Sequence, residues 1–372
     1  MIKRVVLCVV TCIGLLAACG DDEVLPDGGG PTPDAAAPGD PDAEIPTSIV
    51  YALGTDFTTA GVLTKVEVPT LNATQNAIAG VASTDPVARR FGDKLYIVNR
   101  FGFDNVTIID LTNDQLIDQI STGAGTNPQD VAVKGDKIYV AALASGDIIV
   151  LDAANPTATP TTIDISSYDT GDDVPDANTL HLAGDTLLVA VGALDGSFTS
   201  TAGKVILIDT TNDTVTGDFD LAYNNPIGYF QPHGAGEVLI ATTVDFADGD
   251  GCLERIDITG TPASAGCLVE NSVLGGYPTV YRSDGTTVLA AISISFTEGK
   301  LVSIDSTGTP SASLTPAGQT PTDVEVCPTG HIVVNDGAGG GLRVYTATGN
   351  ELTENVIDIG QPPAFTNGLI CP

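Results

Sequence analysis

One pattern of apolar and polar positions recurs from about residue 48 to the end of the chain. Each unit begins at a proline, forms a short strand, turns at Gly or Asp, enters an apolar strand, and ends a third strand on an apolar-apolar-Asp turn. Such strands and turns at this interval predict the blades of a β-propeller, with four antiparallel strands each. The units begin at Pro86, Pro128, Pro175, Pro226, Pro278, Pro321 and Pro362, with spacings of 42, 47, 51, 52, 43 and 41 residues.

The third strand of each full unit ends on a similar turn. We expect each turn Asp to accept hydrogen bonds from backbone amides of its own turn, which is a structural role. The turns are IIDLTND from Ile108, VLDAANP from Val150, LIDTTND from Leu207, RIDITGT from Arg255, SIDSTGT from Ser303 and the degenerate VYTATGN from Val344.

The number of units predicts a closed ring of seven blades. Pro362 leads only one strand, PAFTNGLICP, before the chain stops. The three missing strands are at the other end, in SIVYALG from Ser48, GVLTKVEV from Gly61 and NATQNAIAG from Asn72. A blade built from both termini closes the ring and removes its exposed edges. The predicted fold class is therefore all-β, a seven-bladed propeller over residues 47–372.

Two of the units resemble a known repeat family. KLYIVNRFGFDNVTIIDLTNDQLIDQISTG from Lys94 and KIYVAALASGDIIVLDAANP from Lys137 are similar to YVTN-type repeats, which form seven-bladed propellers in bacterial and archaeal surface proteins and are related to lactonase-like propellers. The resemblance covers about residues 48–372 and is weak in the fourth full unit. It implies the fold and a location in the cell envelope, and it carries no catalytic motif that matches here.

The first 18 residues have the order of a secretory signal peptide: basic Lys3 and Arg4, an apolar stretch from Val5 to Leu16, and two small residues. The apolar stretch is too short to span a bilayer. Leu16-Ala17-Ala18-Cys19 resembles the lipobox of bacterial lipoproteins, which implies cleavage before Cys19 and acyl chains, such as palmitate, on that residue. The alternative is an ordinary secreted protein with an accidental cysteine. Gly20 in place of aspartate favours the outer membrane.

Residues 19–46 predict a disordered linker behind the lipidated cysteine. The segment GDDEVLPDGGGPTPDAAAPGDPDAEIP is rich in Pro, Gly, Ala and acids and has no aromatic residue, so it cannot bury enough apolar surface to offset the entropy of ordering. We therefore expect a lipoprotein of the outer membrane, periplasmic or surface-exposed, held to the membrane by its lipid anchor.

The net charge of −33 limits the possible partners. Cleavage of the signal peptide would remove Lys3 and Arg4 and lower the charge to −35. Nucleic acid and anionic headgroups would be repelled, so we expect neither as a partner. The absence of Trp and the presence of only three His argue against tryptophan-stacked quinones and multi-histidine metal centres. We expect a monomer, and the composition assigns it no definite cofactor.

Four cysteines remain after the signal peptide and the lipidated residue. An even number in an oxidising compartment predicts two disulfides, and four cysteines allow three pairings. We favour Cys252 with Cys267 on neighbouring antiparallel strands, and Cys327 with Cys371 on adjacent inner strands. The second pairing requires the inner strands of two different blades to come within disulfide distance.

Loops between second and third strands, and loops that lead into the next inner strand, share one side of a propeller, the loop face. Three of these loops on neighbouring blades are long and acidic: SSYDTGDDVPDAN from Ser166, GALDGSFTSTAG from Gly192 and VDFADGDGC from Val244. We predict the binding surface there. Its candidate residues are Asp169, Asp172, Asp173, Asp195, Phe198, Asp245, Phe246, Asp248 and Asp250.

The loop face also offers a weak calcium motif. Ca²⁺ binds six to eight oxygen ligands, and Asp245, Asp248 and Asp250 are candidate ligands because Asp248-Gly249-Asp250-Gly251 resembles the middle of a calcium loop. Phe246, however, stands where an acid is expected, and no glutamate follows at the proper distance. Solvated acidic turns are the alternative.

Aromatic residues are concentrated in the same loops. Exposed rings on one rim would suit a sugar or peptide partner. The alternative is that FTTAG, FTSTAG and FTEG are one repeated device, with a ring packed between blades. Six of the ten phenylalanines are involved: Phe57, Phe101, Phe103, Phe198, Phe246 and Phe296.

No catalytic residue is identified. His181, His233 and His331 occur at different depths in their units, and no nucleophile elbow, phosphate loop or zinc pattern is present. The concentrated cations Arg89, Arg90 and Arg100 are expected to form surface ion pairs.

The predicted function is an envelope binding module for a protein or glycan partner, and the alternatives are a lactonase or hydrolase with its site at the channel mouth, or a scaffold. A cluster of His, Glu and Arg at the mouth would favour the enzyme, whereas a carboxylate-only or apolar mouth would favour binding.

Overall fold

The computed structural model describes residues 47–372 except 170, 196–198, 201, 245–248 and 296. Seven sheets follow one another along this part of the chain and confirm the seven-bladed propeller. The predicted signal peptide, Cys19 and linker lie outside the described residues. So do Phe198, Asp245, Phe246, Asp248 and Phe296 of the loop face.

The closing blade, blade 7, is built from both ends of the described chain, as predicted. Its inner strand is β26, Leu369–Ile370, and its other strands are β1, Ser48–Thr55, β2, Gly61–Val68, and β3, Ala73–Thr74. Tyr51 of β1 lies opposite Ile370 of β26 in antiparallel register. The first strand of the fold is thereby hydrogen-bonded to the last, which closes the ring of blades.

Blades 1 to 4 each contain four antiparallel strands in chain order from the inside of the ring to the outside. Blade 1 comprises β4 Pro86–Phe91, β5 Lys94–Asn99, β6 Asn105–Asp110 and β7 Gln115–Ser121. Blade 2 comprises β8 Pro128–Lys134, β9 Lys137–Ala142, β10 Asp147–Asp152 and β11 Thr161–Asp164. Blade 3 comprises β12 Ala177–Ala183, β13 Thr186–Val191, β14 Lys204–Asp209 and β15 Thr214–Asp220. Blade 4 comprises β16 Pro226–His233, β17 Glu237–Thr242, β18 Cys252–Asp257 and β19 Ala263–Glu270.

Blades 5 and 6 have three strands each, where four were expected. Blade 5 comprises β20 Tyr277–Ser283, β21 Val288–Ser295 and β22 Glu298–Ile304; blade 6 comprises β23 Pro321–Val326, β24 Ile332–Asp336 and β25 Gly341–Tyr345. The segment at the outer position of blade 5 forms an isolated bridge between Ile304 and Pro310 and backbone hydrogen bonds from Ser311 and Leu314 to the third strand, without a continuous ladder. Pro310 and Pro316 lack the N–H that a ladder needs, which explains the missing fourth strand.

Helical structure is confined to two short pieces among the described residues. A 3₁₀ turn spans Ser166–Tyr168, and α1 spans Asn271–Leu274. No helix in the described ranges has the length and apolar character needed to cross a membrane.

The hydrophobic core is divided between neighbouring blades. Buried side chains of the described residues form seven clusters, one for each junction between two blades. At the junction of blades 7 and 1, for example, Leu53 and Leu63 pack with Ile97 and Ile109. Burying the two faces of every blade in this way stabilises the ring through apolar burial rather than through one central core.

Both favoured disulfides are confirmed. Cys252 and Cys267 join β18 to β19, with Cα atoms 5.8 Å apart. Cys327 and Cys371 follow the inner strands of blades 6 and 7, and their Cα atoms are only 5.1 Å apart. Inner strands of adjacent blades are therefore close enough here for normal disulfide geometry, and this bridge fastens blade 7 to blade 6.

The turn aspartates bond as expected. Asp110 Oδ1 accepts from the backbone N of Thr112 at 2.8 Å, and Asp305 Oδ1 accepts from the backbone N atoms of Thr307 and Thr309, both at 2.9 Å. These hydrogen bonds, led by those of the threonine hydroxyls, lower the pKa values of Asp110 and Asp305. The repeated Asp fixes the turn between third and fourth strand positions.

Candidate functional site

The central channel contains a cavity of about 490 Å³. It lies among the C-terminal halves of the inner strands, at the end of the ring where first and second strands are joined by turns; we name this side the turn face. The volume suits a small ligand. Its walls are formed by Ala88, Arg89, Arg90, Phe91, Val131, Ala132, Val133, Leu180, His181, Leu182, Phe230, Gln231, Pro232, Arg282, Glu325, Asn367, Ile370 and Cys371.

A buried ion pair crosses from blade 1 to blade 2 beside this cavity. Arg89 donates from Nε to Oδ1 of Asp130 at 2.6 Å and from Nη2 to Oδ2 at 2.8 Å, with the Asp130 side chain fully buried. The guanidinium carbon of Arg89 lies 4.1 Å from the ring centroid of Tyr229, a cation–π distance. The expectation of a surface pair for Arg89 was therefore wrong, because the inner strand directs this side chain into the ring.

Asp130 also joins blade 2 to blade 3. Its Oδ2 accepts from the hydroxyl of Thr179 at 2.9 Å and from the backbone N of Leu180 at 2.8 Å, both on β12. Asp323 repeats this arrangement between blades 6 and 7, because its Oδ2 accepts from the backbone N atoms of Gly368 and Leu369 at 2.6 and 3.0 Å. Neither carboxylate lines the cavity. Both are used to connect neighbouring inner strands.

A second ion pair lies beside the cavity on blades 5 and 6. Arg282 donates from Nε to Oε2 of Glu325 at 2.9 Å and from Nη1 to the carbonyl of Tyr281 at 3.0 Å. Oε1 of Glu325 accepts from the backbone N of Val326 at 3.0 Å. The Nη2 atom of Arg282 has no hydrogen-bond partner among the described residues, so its two N–H groups remain available to a ligand.

His181 is the only histidine among the described residues that line the cavity. Its ring lies 6.2 Å from that of Phe230. Burial, followed by the positive charge of Arg89, lowers the pKa of His181 to about 4. The imidazole is therefore neutral near pH 7 and can act as a hydrogen-bonding group, whereas its basicity is low for a proton acceptor in catalysis.

The other two histidines are paired with hydroxyl groups outside the cavity. His233 Nδ1 lies 2.7 Å from Oγ of Ser283, and His331 Nδ1 lies 2.9 Å from Oγ1 of Thr329. Arg100 pairs with Asp85 at 2.6 Å near the loop face. The structure thus brings only His181, of the three histidines, to the channel arginines.

The described acids of the loop face are held by local bonds. Oδ2 of Asp169 accepts from the backbone N atoms of Gly171 and Asp172 at 3.1 and 3.0 Å, and Oδ1 of Asp172 accepts from the backbone N of Val174 at 3.0 Å. Asp173 and Asp250 are exposed, as is Asp195, whose Oδ1 accepts from the backbone N of Thr199 at 2.9 Å.

Asp176 lies beside this acidic group at the start of blade 3. Its Oδ2 accepts from the backbone N of Leu194 at 2.6 Å, and it is half-buried. Burial raises its pKa to about 6, and the negative charges of Asp172 and Asp169 add to that effect. These aspartates therefore form one electrostatically coupled group.

Exposed phenylalanines occupy the loop face on blades 7 and 1. Phe57 is 54% exposed, Phe101 74% and Phe103 49%, and Phe365, in the loop leading into β26, is 42% exposed. The idea of a ring packed between blades is therefore wrong for Phe57. Phe57 and Phe101 also have positive φ angles of 57° and 45°, which are unusual for a bulky residue.

The described residues bring one group of potential metal ligands together: Cys252, Cys267 and Glu270. The two sulfur atoms already form a disulfide, so they do not offer thiolates to a metal. Of the candidate calcium ligands, Asp250 is described and exposed, while Asp245 and Asp248 lie outside the described residues.

The channel site was missed at the sequence level because its lining residues differ in chemical type and in part of their spacing from unit to unit. Arg282 and Glu325 each stand four residues after the starting proline, whereas Arg89 and His181 stand three and six residues after theirs, and bulges shift the register of several inner strands. A usable signal did exist: an Arg in the inner strand of blade 1 and an Asp three residues into that of blade 2 are oppositely charged groups on adjacent strands.

Comparisons with known proteins show the fold. No protein-family model matches the chain, and no curated protein matches it in sequence. Apo AztD from Citrobacter koseri is similar in structure, with a TM-score of 0.53 and 11% identity over 88% of this chain and 98% of that chain. A streptogramin B lyase gives a TM-score of 0.54 and 12% identity over 76% and 86% of the two chains. Dihydro-heme d1 dehydrogenase NirN, in complex with DHE, gives 0.50 and 15% over 82% and 72%.

Proposed function

We propose that this chain is an envelope-anchored lipoprotein whose propeller is a binding module, and that the loop face recognises a protein or glycan partner. The observation that carries the proposal is the group of exposed phenylalanines Phe57, Phe101, Phe103 and Phe365 on adjacent blades. Large apolar side chains grouped on one exposed rim are typical of interaction surfaces.

The acidic loops of blades 3 and 4 complement this aromatic rim. Phenylalanine rings pack against sugar faces or apolar side chains, while carboxylates accept hydrogen bonds from hydroxyl or ammonium groups. With a net charge of −33, the chain would repel acidic partners. We therefore expect a neutral or basic partner.

The position of the first strand is compatible with a loop face that points away from the point where the linker joins. Oγ of Ser48 lies 3.0 Å from Oγ1 of Thr329, in the turn between β23 and β24. Thr47, which follows the predicted linker, thus joins the propeller at the turn face, and the loop face is the other side of the ring.

The test is capture of partners by the immobilised full chain, with envelope extract in one arm and an array of neutral glycans in the other. Asn at positions 57 and 101 removes the rings and tolerates the left-handed backbone. We expect Phe57→Asn with Phe101→Asn to reduce capture at least about tenfold, since buried aromatic anchors contribute 2 kcal/mol or more at interfaces.

The matched control is Ile117→Ser on the outer strand β7, which removes an apolar side chain that is 48% exposed. Capture by this variant should equal that of the wild type. Equal capture by the double Phe variant would refute the aromatic rim. A variant with the loops at 192–203 and 243–251 shortened tests the acidic loops, and unchanged capture there would remove them from the proposed surface.

A second candidate function, a hydrolase of lactonase type, is favoured by one observation: the channel cavity contains His181, Glu325 and three arginines. The protonation of His181 and the hydrogen bonding of Glu325 favour ligand binding over catalysis. The pKa of His181 is lowered to about 4, and both oxygens of Glu325 accept hydrogen bonds. A panel of lactones and esters tests this alternative, with His181→Ala compared with His331→Ala. Turnover by the wild type that only His181→Ala abolishes would establish the enzyme.

A further inference from the structure

The two walls of the channel cavity differ in character. Val131, Val133, Leu180, Leu182 and Phe230, on the consecutive blades 2, 3 and 4, give one side an apolar surface. The charged residues are on blades 1, 5 and 6: Arg89, Arg90, Arg282 and Glu325. A ligand that fills the cavity must therefore match an apolar wall and a charged wall at once.

The charged wall is cationic in spite of the acidic chain. Three arginines and one glutamate line it. Asp130 and Asp323 lie behind the wall, where each accepts hydrogen bonds from backbone N–H groups of two inner strands. Those N–H dipoles and Arg89 compensate the two buried carboxylates. With Arg89 paired to Asp130 and Arg282 paired to Glu325, the charge without a counter-ion among the described lining residues is the positive charge of Arg90.

Donors on this wall are left without partners. Arg90 is exposed and uses Nε to bond the carbonyl of Gly92 at 3.0 Å, which leaves both of its Nη atoms without a partner among the described residues. Nη2 of Arg282 is likewise unpaired within the described part of the chain. Planar guanidinium groups with unused N–H donors match the oxygens of a carboxylate.

Asn367 provides an independent observation. Asn367 is one of the residues that line the cavity, it is only 2% exposed, and the Nδ2 atom of its side chain has no hydrogen-bond partner in the described residues. A buried amide without a partner costs free energy. An acceptor oxygen brought by a ligand would relieve that cost.

We propose that the channel cavity is a second binding site, separate from the loop face, for a small amphipathic carboxylate. Its carboxylate oxygens accept hydrogen bonds from Arg282, Arg90 and Asn367, and its apolar body packs against Phe230 and the leucines of blade 3. The neutral imidazole of His181 lies between Leu180 and Leu182 in the sequence of the apolar wall. Its NMR signal therefore reports whether the ligand is bound.

The test uses 4-phenylbutyrate as the probe, with 4-phenylbutanamide and 4-phenylbutylamine as neutral and cationic controls of equal shape. Binding to the full chain is followed by calorimetry and by the NMR signals of the histidine rings, of which the chain has three. We expect 4-phenylbutyrate to shift the His181 signal, with those of His233 and His331 unchanged. The amide and the amine should bind at least about tenfold more weakly.

Variants distinguish this site from general attraction to arginine. Arg90→Gln alters an exposed side chain, so folding is retained, and Arg282→Gln replaces the buried guanidinium by a neutral amide that still donates hydrogen bonds. Each should weaken binding of 4-phenylbutyrate about tenfold, whereas Arg100→Gln, outside the cavity, should bind as the wild type does. Absence of binding to the wild type, equal binding of the amide, or an unmoved His181 signal would overturn the proposal. None of these outcomes bears on partner capture by the loop face.

Discussion

Asp130 binds Arg89 through both carboxylate oxygens, at 2.6 and 2.8 Å, and joins the inner strands of three consecutive blades. Replacing Asp130 by Ala would leave the Arg89 guanidinium without its counter-ion and the N–H of Leu180 without an acceptor. Breaking a buried ion pair from one side typically costs about 3–5 kcal/mol. We expect Asp130→Ala to lower the free energy of unfolding by that amount, measured by urea denaturation of the full chain.

The control for this prediction is Asp220→Ala. Asp220 pairs with Lys204 on the outside of blade 3, where its side chain is 78% exposed. A surface pair of this kind contributes about 0–1 kcal/mol. Similar losses in the two variants would mean that the buried network around Asp130 has no special structural role.

The disulfide between Cys327 and Cys371 gives a second prediction. The two cysteines of this disulfide are 44 residues apart in the sequence, whereas Cys252 and Cys267 are 15 residues apart. The loop-entropy model assigns about 4 kcal/mol to the longer loop and about 3 kcal/mol to the shorter one. Cys327→Ala with Cys371→Ala should therefore reduce the free energy of unfolding more than Cys252→Ala with Cys267→Ala.

Denaturation of both double variants measures the difference. A larger loss from the Cys252 and Cys267 pair would contradict the role of the other disulfide in holding blade 7 to blade 6.

Much of the fold could be predicted because it follows from local patterns. The prolines, the alternation of apolar residues and the turn aspartates each act within a few residues, so the blades and the closure through Ser48–Thr55 were accessible. The missing fourth strand of blade 5 was not predicted, because the cost of Pro310 and Pro316 in a ladder competes with a repeat that otherwise continues.

The channel site depends on long-range geometry. Arg89 and Arg282 are separated by nearly two hundred residues, and only ring closure brings their strands around one cavity. In the sequence the two arginines occur in different local contexts, so no spacing rule links them. The acids and phenylalanines of the loops, by contrast, were recognisable because each loop displays them on its own.

Asp323 gives a prediction about pH. Burial raises its pKa to about 6, from an ordinary value near 4 in the unfolded chain. The folded state therefore holds this proton more tightly, and the associated stability is present below about pH 4 and is lost as the pH rises through 6. Relative to Asp323→Asn, the wild type should lose up to about 3 kcal/mol of unfolding free energy between pH 4 and pH 7.

Urea denaturation of both proteins across this range provides the measurement. The nearby charges that act on Asp323 are those of Arg282, which lowers its pKa, and Glu325, which raises it. Parallel stability profiles for the wild type and Asp323→Asn would show that Asp323 has the same proton affinity in both states.

Gly251 gives the last prediction, which concerns how the loop before β18 is held against blade 4. Its φ angle is +127°, and a Cβ atom there would lie 2.2 Å from the carbonyl oxygen of Thr242 and 2.6 Å from Nδ2 of Asn271. Asn271 donates from that atom to the same Thr242 carbonyl at 3.0 Å, so the methyl group of alanine would break a buried contact.

Gly249 also has a positive φ, +72°, but nothing lies within 4 Å of its Cβ position. Gly251→Ala should therefore lower the unfolding free energy by at least about 1–3 kcal/mol more than Gly249→Ala, because it adds a clash and an unpaired amide to the backbone strain. Equal unfolding midpoints for the two variants would show that the loop can move away from blade 4 at no cost.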